Sequence, residues 1–273
     1  MDALRRAGAR GVDREGAHVL ALFPPPHDIE PLVREVEAAV RASTTLENPT
    51  ITCRWEPAES LRERWAAGLA PRRASGRIVV WPGGEPPETR PGDAVVRLLP
   101  GPAFGTAEHP TTRACLRLLD SRIRPGDRVL DIGAGSAVLS IAAALLGARR
   151  VLALEADDVA CAAARANVRE NGVATTVEVR ELLVRPHHLP GLGRFEGILA
   201  NLETETLVPL IPAMTPALVS GGWLIVSGVL TQESGRVLEA AHRTGLTPEV
   251  ADRDAGWWTA GFRSQNGSTA PAA

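Results

Sequence analysis

The chain has 273 residues, of which 44% are hydrophobic and 23% charged, an ordinary composition for a folded protein with one large domain or two modest ones. The formal net charge of −2 excludes a strong overall field that would attract nucleic acid or an anionic membrane, so we expect neither as a partner, and we expect a monomer. Three scattered cysteines without a CxxC pair predict no metal site, and the lack of a signal peptide or of an apolar run of roughly 20 residues predicts a cytoplasmic protein.

The first part of the chain, residues 1–56, predicts a small α+β unit. Its predicted elements are a helix, a strand, a second helix and a second strand, at 2–9, 17–23, 28–42 and 50–55. A helical connector is predicted over residues 57–76. Strands over Arg77–Trp81 and Ala94–Leu99 then open the main domain, which is predicted to cover 77–263.

After residue 127, short apolar runs alternate with helical stretches. The predicted strands are 128–133, 151–155, 176–180, 196–202, 223–229, 247–252 and 257–263. The predicted helices run from an N-cap at Ser136 to a stop at Gly147, from Asp157 or Asp158 to Glu170, and over 204–218 and 232–244.

Strands and helices that alternate at this spacing predict βαβ units and a mainly parallel sheet. The last two strands are joined by only a few residues around 254–256, too few for a parallel crossover, so they predict an antiparallel hairpin. The sequence thus predicts an α/β fold with a Rossmann-like sheet of seven strands. A disordered tail is predicted over 264–273.

The strongest local signal is the glycine-rich turn in "VLDIGAGSAVLSIAA". Gly133 and Gly135 lie between a strand and a helix, where backbone can approach a ligand and the N–H groups of the helix start face it. Glu155 ends the next strand about 20 residues further on, where a carboxylate can bind both hydroxyls of a ribose. An ordinary tight turn without a ligand is the alternative.

Residues in and before the turn indicate which nucleotide it binds. A dinucleotide fingerprint needs GxGxxG, but Val138 stands where its third glycine belongs. Asp131 precedes the turn and would repel a pyrophosphate. S-adenosylmethionine has no phosphate and carries a sulfonium and an ammonium, so we favour this methyl donor and keep NAD as the alternative.

Two further segments carry polar residues suited to chemistry. In "GPAFGTAEHPTTRACL", Thr111 and Thr112 begin a helix, so capping alone explains one of them, and His109 is read equally as an ordinary loop histidine. Asn201 ends the fourth main strand, where ligands bind in open α/β sheets. Its amide can accept a hydrogen bond from a substrate amine, although a helix-capping asparagine is the alternative.

Longer stretches resemble the ribosomal protein L11 methyltransferases. "AFGTAEHPTTRACL" is similar to that family's AFGTGTHPTT loop, and "ILANLETETL" to its ANILAGPL segment. The resemblance implies a class I S-adenosylmethionine-dependent enzyme that methylates amino groups of ribosomal protein L11. It also implies that residues 1–56 form a ferredoxin-like module that recognises the ribosomal protein. The first strand of that module is missing, because Met1 falls where the first helix should be; either the start codon is misplaced or the module is truncated.

The resemblance also implies roles for individual residues. We expect Asn201 to be the catalytic residue that orients the amine, and a loop over Phe104–Thr112 to close the pocket. The cofactor-binding residues implied are Phe104, Thr106, Thr112, Gly133, Gly135, Glu155 and Asn201.

Several positions depart from the family pattern. Ala137 stands where the cofactor turn of this family has its third glycine, and Glu155 stands where the family has an aspartate. Ala107-Glu108 replace the Gly-Thr that precedes the histidine in the family's loop. "NLET" replaces "NILA", which places Glu203 beside the presumed transfer centre, although first-turn acids such as Glu203 and Glu205 also suit a helix dipole. A methyltransferase with another protein or small-molecule acceptor, or a non-catalytic binding module, therefore stays open beside the nicotinamide alternative.

Overall fold

The computed structural model describes Leu4 and residues 11–15, 18–22, 29–43, 50–53, 71–99 and 109–265. The predicted first helix apart from Leu4, the predicted connector up to residue 70 and the predicted tail beyond residue 265 lie outside these ranges. The domain boundaries at 56, 76 and 263 stay predictions.

The N-terminal part contains an antiparallel hairpin and a helix. Strand β1 (Gly11–Glu15) pairs with β2 (His18–Leu22), and helix α1 covers Ile29–Ser43. Strand β2 and α1 match the predicted elements, whereas β1 was not predicted because Gly-Val-Asp-Arg-Glu lacks the apolar alternation of a strand. The strand predicted at 50–55 is wrong for residues 50–53, which form no regular structure; an apolar run becomes a strand only where another strand accepts its hydrogen bonds.

A three-stranded sheet follows. Strand β3 (Arg72–Arg73) pairs antiparallel with β4 (Ile78–Trp81), and β4 pairs parallel with β5 (Ala94–Arg97). The helical connector predicted to reach residue 76 is therefore wrong for its last six residues. Arg73 is held extended there by two hydrogen bonds of 2.9 and 2.6 Å to the Asp93 carboxylate, which favours the strand over a helical turn.

Seven strands form the main sheet, in the order β11-β12-β10-β9-β6-β7-β8. Their bounds are β6 Arg128–Ile132, β7 Arg150–Glu155, β8 Val177–Glu181, β9 Phe195–Asn201, β10 Leu218–Leu230, β11 Leu246–Asp254 and β12 Trp257–Ser264. β6 to β10 are mutually parallel where they pair, and β12 runs antiparallel to both β10 and β11. The predicted Rossmann-like sheet with an antiparallel last hairpin is confirmed.

Five helices belong to this part of the chain. They are α2 Pro110–Arg122, α3 Val138–Leu145, α4 Asp158–Glu170, α5 Thr204–Ala217 and α6 Ser234–Arg243, and a 3-10 turn covers Pro186–Leu192. Of the two predicted caps of α4, Asp157 takes this role, since its carboxylate accepts a hydrogen bond of 2.8 Å from the Ala160 N–H. None of the described helices combines the length and the apolar character that crossing a membrane requires.

Helices cover both faces of the main sheet, and successive strand residues point to opposite faces. Val129 and Val151 pack in one apolar core together with residues of α2 and α3. Leu130 and Leu152 pack in the other core with residues of α5 and α6. Each such side chain contributes roughly 1.5–3 kcal/mol through burial, so burial of the apolar residues fixes the face of the sheet that each polar side chain occupies.

Candidate functional site

The turn after β6 is built from left-handed backbone. Gly133 has φ of +73° and Gly135 has φ of +54°. The N–H groups of Gly133 and Ala134 donate to the Leu154 carbonyl at 2.8 and 3.0 Å, which fastens the turn to the end of β7. Glycine meets the demand for positive φ without the cost that a side chain would carry.

The start of α3 differs from the sequence prediction. Ser136 was predicted as the N-cap, but the cap position is Ala137, with φ of +63° and no side-chain hydrogen bond. Ser136 is buried instead, and its carbonyl accepts 2.9 Å from the Asn167 amide of α4. A left-handed alanine costs roughly 1–2 kcal/mol, so the tertiary contact of Ser136 outweighs local capping.

Glu155, at the end of β7, faces the glycine turn. One carboxylate oxygen accepts a hydrogen bond of 2.8 Å from the Gly135 N–H. The other accepts from the N–H groups of Ala156 and Asp157, at 2.8 and 3.0 Å. This half-buried carboxylate therefore lies beside the turn at the carboxyl edge of the sheet, as the sequence predicted.

Asp131 lies in the interior just before the turn. It is 1% exposed, and its only hydrogen-bonding side chain among the described residues is Ser140, whose hydroxyl donates at 2.6 Å. The pKa of this carboxyl is raised to about 6, chiefly by burial and also by the negative charge of Glu155, while the hydrogen bonds from Ser140 lower it. The crevice edge thus holds an acid that titrates near neutrality.

Asn201 ends β9, the strand next to β6. It is half-buried and lies opposite Ser227 of β10 in the parallel register. Within the part of the chain that the structure describes, the Asn201 amide has no hydrogen-bond partner, so the alternative interpretation as a helix-capping asparagine is not supported. Its amide is therefore available to a ligand at the same edge as Gly133 and Glu155.

The residue after Asn201 contacts the glycine turn directly. A Cβ on Gly133 would lie 2.5 Å from a terminal methyl carbon of Leu202, so a side chain there would require the leucine to shift. Glu203 occupies the cap position of α5 without a side-chain cap bond, and Glu205 pairs with Arg236 at 2.6 Å. The ion pair with Arg236 favours the interpretation of Glu205 as an exposed acid in the first turn of the helix rather than as part of the transfer centre.

Gly228 is a site residue that the sequence analysis missed. It lies at a bulge of β10 with φ of +80°, and a Cβ there would lie 2.6 Å from the carbonyl oxygen of Leu202. Absence of a side chain allows the chain after Asn201 to pass close to β10. An isolated glycine inside a strand pattern is the signal that would have indicated it.

The N-terminus of α2 brings a second set of polar groups. His109, rather than a threonine, is the N-cap, and its Nδ1 lies 2.7 Å from the Thr111 hydroxyl and accepts from the Thr111 N–H at 3.4 Å. The His109 ring meets Trp257 edge-on at 4.9 Å between centroids. Because Trp257 lies opposite Leu230 at the end of β10, this helix start lies at the carboxyl edge.

Thr112 differs from its neighbour Thr111 although both are 1% exposed. The Thr112 hydroxyl is buried and has no hydrogen-bond partner in the described structure. Helix α2, which carries Thr112, packs against β10 and β9, the strands that contain Ser227 and Asn201. Thr112 lies in the first turn of α2, whose start reaches the carboxyl edge of the sheet beside Trp257.

The structure thus brings four predicted residues, Gly133, Gly135, Glu155 and Asn201, to the ends of three adjacent strands, with Thr112 on the helix above them. Phe104 and Thr106 lie outside the described residues. Among the described residues, no three His, Cys, Asp or Glu side chains are grouped to hold a metal ion. That the site works without a metal stays a prediction.

These residues fit S-adenosylmethionine. The carboxylate of Glu155 at a strand end suits ribose hydroxyls, and the interior acid Asp131 suits a cationic donor. The Thr112 hydroxyl is buried without a partner, which is costly unless a ligand bonds to it, and the amide of Asn201 offers a second polar contact. A seven-stranded Rossmann-like sheet with this site at its carboxyl edge defines a class I S-adenosylmethionine-dependent methyltransferase.

Comparison with known proteins identifies the family. Residues 5–265 match the family described as ribosomal protein L11 methyltransferase (PrmA). A ribosomal protein L11 methyltransferase of Geobacter sulfurreducens is 36% identical over 255 residues, covering 91% of this chain and 82% of the relative. That of Geobacter metallireducens is 40% identical, covering 77% and 67%.

A solved structure agrees with this assignment. A crystal structure of a ribosomal protein L11 methylase from Lactobacillus delbrueckii subsp. bulgaricus matches with a TM-score of 0.65 and 26% identity, covering 72% of this chain and 100% of that one. The chain belongs to the ribosomal protein L11 methyltransferase family, and the resemblance stated from its motifs is confirmed.

Proposed function

We propose that this protein transfers methyl groups from S-adenosylmethionine to amino groups of ribosomal protein L11, on lysine side chains, the N-terminus or both. The observation that carries the proposal is the partnerless Asn201 amide at the same sheet edge as the glycine turn and Glu155. Relatives that bear the L11 methyltransferase name over most of this chain support the acceptor. We further propose a monomer in the cytoplasm; the expectation of no nucleic-acid binding stays a prediction.

The donor would be held by residues of three elements. Glu155 would exchange its bond to the Gly135 N–H for the ribose hydroxyls, and the left-handed turn would keep side chains away from the donor. Asp131 would supply negative charge near the cationic end of the donor. The Thr112 hydroxyl would gain the partner that it lacks among the described residues.

When bound, S-adenosylmethionine supplies a methyl carbon activated by the sulfonium. The attacking group is a neutral amine, whose lone pair forms the new C–N bond while the C–S bond breaks and its electrons return to sulfur. A lysine must first lose a proton, and a water-excluding site lowers its pKa by disfavouring the charged form. The oxygen of the Asn201 amide would accept from the amine N–H and orient the lone pair; alignment of this kind supplies several kcal/mol.

The proposal is tested with labelled methyl donor, purified ribosomal protein L11 and mass spectrometry of the product. Label on L11 amino groups is expected with the wild type. Asn201→Ala should lower turnover roughly a hundredfold while donor affinity, measured by calorimetry, changes less than about twofold.

Gln265→Ala is the matched control, because that amide bonds to Thr247 at the opposite end of the sheet. It should leave both turnover and donor affinity unchanged. Equal losses of turnover and affinity in Asn201→Ala would refute the orienting role. Donor binding without label on any L11 amine would overturn the acceptor, and no donor binding at millimolar concentration would favour a non-catalytic module.

A further inference from the structure

A second polar cavity lies at the opposite edge of the main sheet. Arg128 and Arg150 are the first residues of β6 and β7, and they lie directly opposite one another in the parallel register. Both line a cavity of about 150 Å³. Because β6 and β7 run from this edge to the glycine turn and Glu155, the cavity is separated from the crevice by the length of the strands.

Arginine side chains outnumber carboxylates in this cavity. Its lining residues are Arg128, Arg150, Leu152, Glu178, Arg180, Gly191, Leu192 and Phe195. Glu178 accepts hydrogen bonds from Arg150 at 2.8 Å and from Arg180 at 2.7 Å, so one carboxylate serves two guanidinium groups. These hydrogen bonds, of which that from Arg180 has the larger effect, hold the pKa of Glu178 below its usual range. The carboxylate is therefore ionised at neutral pH.

Arg128 has no acidic partner for its guanidinium among the described residues. The group lies over the Phe195 ring at 5.4 Å from the centroid, and a Cβ on Gly193 would lie 3.3 Å from its Nη2. Stacking on a ring orients a guanidinium without neutralising its charge. The cavity therefore carries three positive charges against one negative charge.

Like charges held close together repel one another, and the one carboxylate of Glu178 neutralises only one of the three guanidinium charges. Guanidinium groups match the oxygens of a phosphate with paired hydrogen bonds. We propose that this cavity binds a phosphate group, carried by a free anion or by a polynucleotide backbone. The expectation that nucleic acid is not a partner rests on the overall net charge of −2, whereas this cavity is locally positive. Binding of RNA in the test below would overturn that expectation, and binding of a free anion alone would leave it in place.

The test uses the full-length protein with two probes, pyrophosphate in calorimetry and a short single-stranded RNA in fluorescence anisotropy, at about 50 mM salt. Arg150→Gln combined with Arg180→Gln should weaken binding about tenfold or more. Glu178→Gln should strengthen it, because it removes the competing carboxylate. Both outcomes are measured on proteins whose thermal unfolding shows a retained fold, which is expected since these side chains are 63%, 46% and 40% exposed.

Arg253→Gln is the matched control, since it removes one exposed arginine from β11 at the far side of the sheet. It should leave the affinity for both probes unchanged. Saturable binding of pyrophosphate identifies a free anion as sufficient, and binding of RNA alone identifies the polynucleotide as the source. No saturable binding of either probe, or equal affinities in the wild type and the double variant, would overturn the proposal.

Discussion

The two edges of the main sheet differ in how far their polar groups are exposed to solvent. At the carboxyl edge, the acid of Asp131 and the hydroxyl of Thr112 are 1% exposed, and the backbone is left-handed at Gly133 and Ala137. At the amino edge, Arg150 is 63% exposed and ion-paired. Buried or strained groups persist only where the surrounding packing compensates for them, so the carboxyl edge should be far more sensitive to substitution.

Gly228→Ala should have the largest effect. Its Cβ would meet the backbone of Leu202 at 2.6 Å, and φ is +80°. We expect a loss of about 3 kcal/mol or more in unfolding free energy, from left-handed strain together with overpacking, measured by urea denaturation. Methyl transfer should fall with it, because the chain after Asn201 must move.

Gly256→Ala separates the two causes. Its φ of +84° is nearly the same as that of Gly228, but nothing lies within 4 Å of the added Cβ. It should lose only about 1 kcal/mol, with activity retained. Equal destabilisation by both substitutions would show that the close approach of Leu202 contributes nothing.

Much of this architecture follows from sequence pattern. The alternation of apolar runs and helices predicts the seven strands, and a residue that ends a parallel strand must lie at the carboxyl edge, which places Glu155 and Asn201 correctly. These inferences succeed because strand direction and period are local properties.

The remaining features depend on contacts between distant segments. The sequence predicts Ser136 as a cap, but the Asn167 amide of a later helix binds its carbonyl, and Ala137 takes the left-handed position. Thr111 and Thr112 are indistinguishable in sequence, although only Thr111 is bonded to His109. Capping and hydroxyl pairing are decided by tertiary packing, which a single sequence does not display.

Thr112→Val should affect binding more than folding. The two side chains have similar shape, and the lost hydroxyl has no partner in the described structure, so the unfolding free energy should stay within about 0.5 kcal/mol or rise. Donor affinity should fall about five- to tenfold in calorimetry if this hydroxyl contacts the donor.

Thr111→Val is the matched control, because it is equally buried but loses its contact with His109. It should cost about 1 kcal/mol in stability. An unchanged donor affinity in Thr112→Val would remove this residue from the proposed site.

The acid of Asp131 predicts a pH dependence confined to the carboxyl edge. Its pKa is raised from 3.8 to about 6, so the folded state binds the proton more tightly than the unfolded state does. Its contribution to stability is therefore full below about pH 4 and declines as the pH rises towards 6. A cationic donor favours the ionised form, so donor affinity should increase over the same interval, as measured by calorimetry across pH 5–7.

Asp131→Asn should flatten both profiles, because the amide does not titrate. Ser140→Ala removes the hydrogen bond that opposes the shift, so it should move the midpoint to higher pH. Identical pH profiles for the wild type and Asp131→Asn would assign the titration to another group.

Glu178→Gln at the amino edge should have the smallest effect on stability. The pKa of Glu178 is lowered by its arginine partners, so its contribution is present above the ordinary value of 4.5 and is lost as the pH falls below it. Because the side chains of Glu178 and Arg150 are 40% and 63% exposed, solvent screens the pair, and we expect a change of at most about 0.5 kcal/mol in urea denaturation at neutral pH. A loss comparable to that of Gly228→Ala would mean that the two edges do not differ in the way their polar groups are supported.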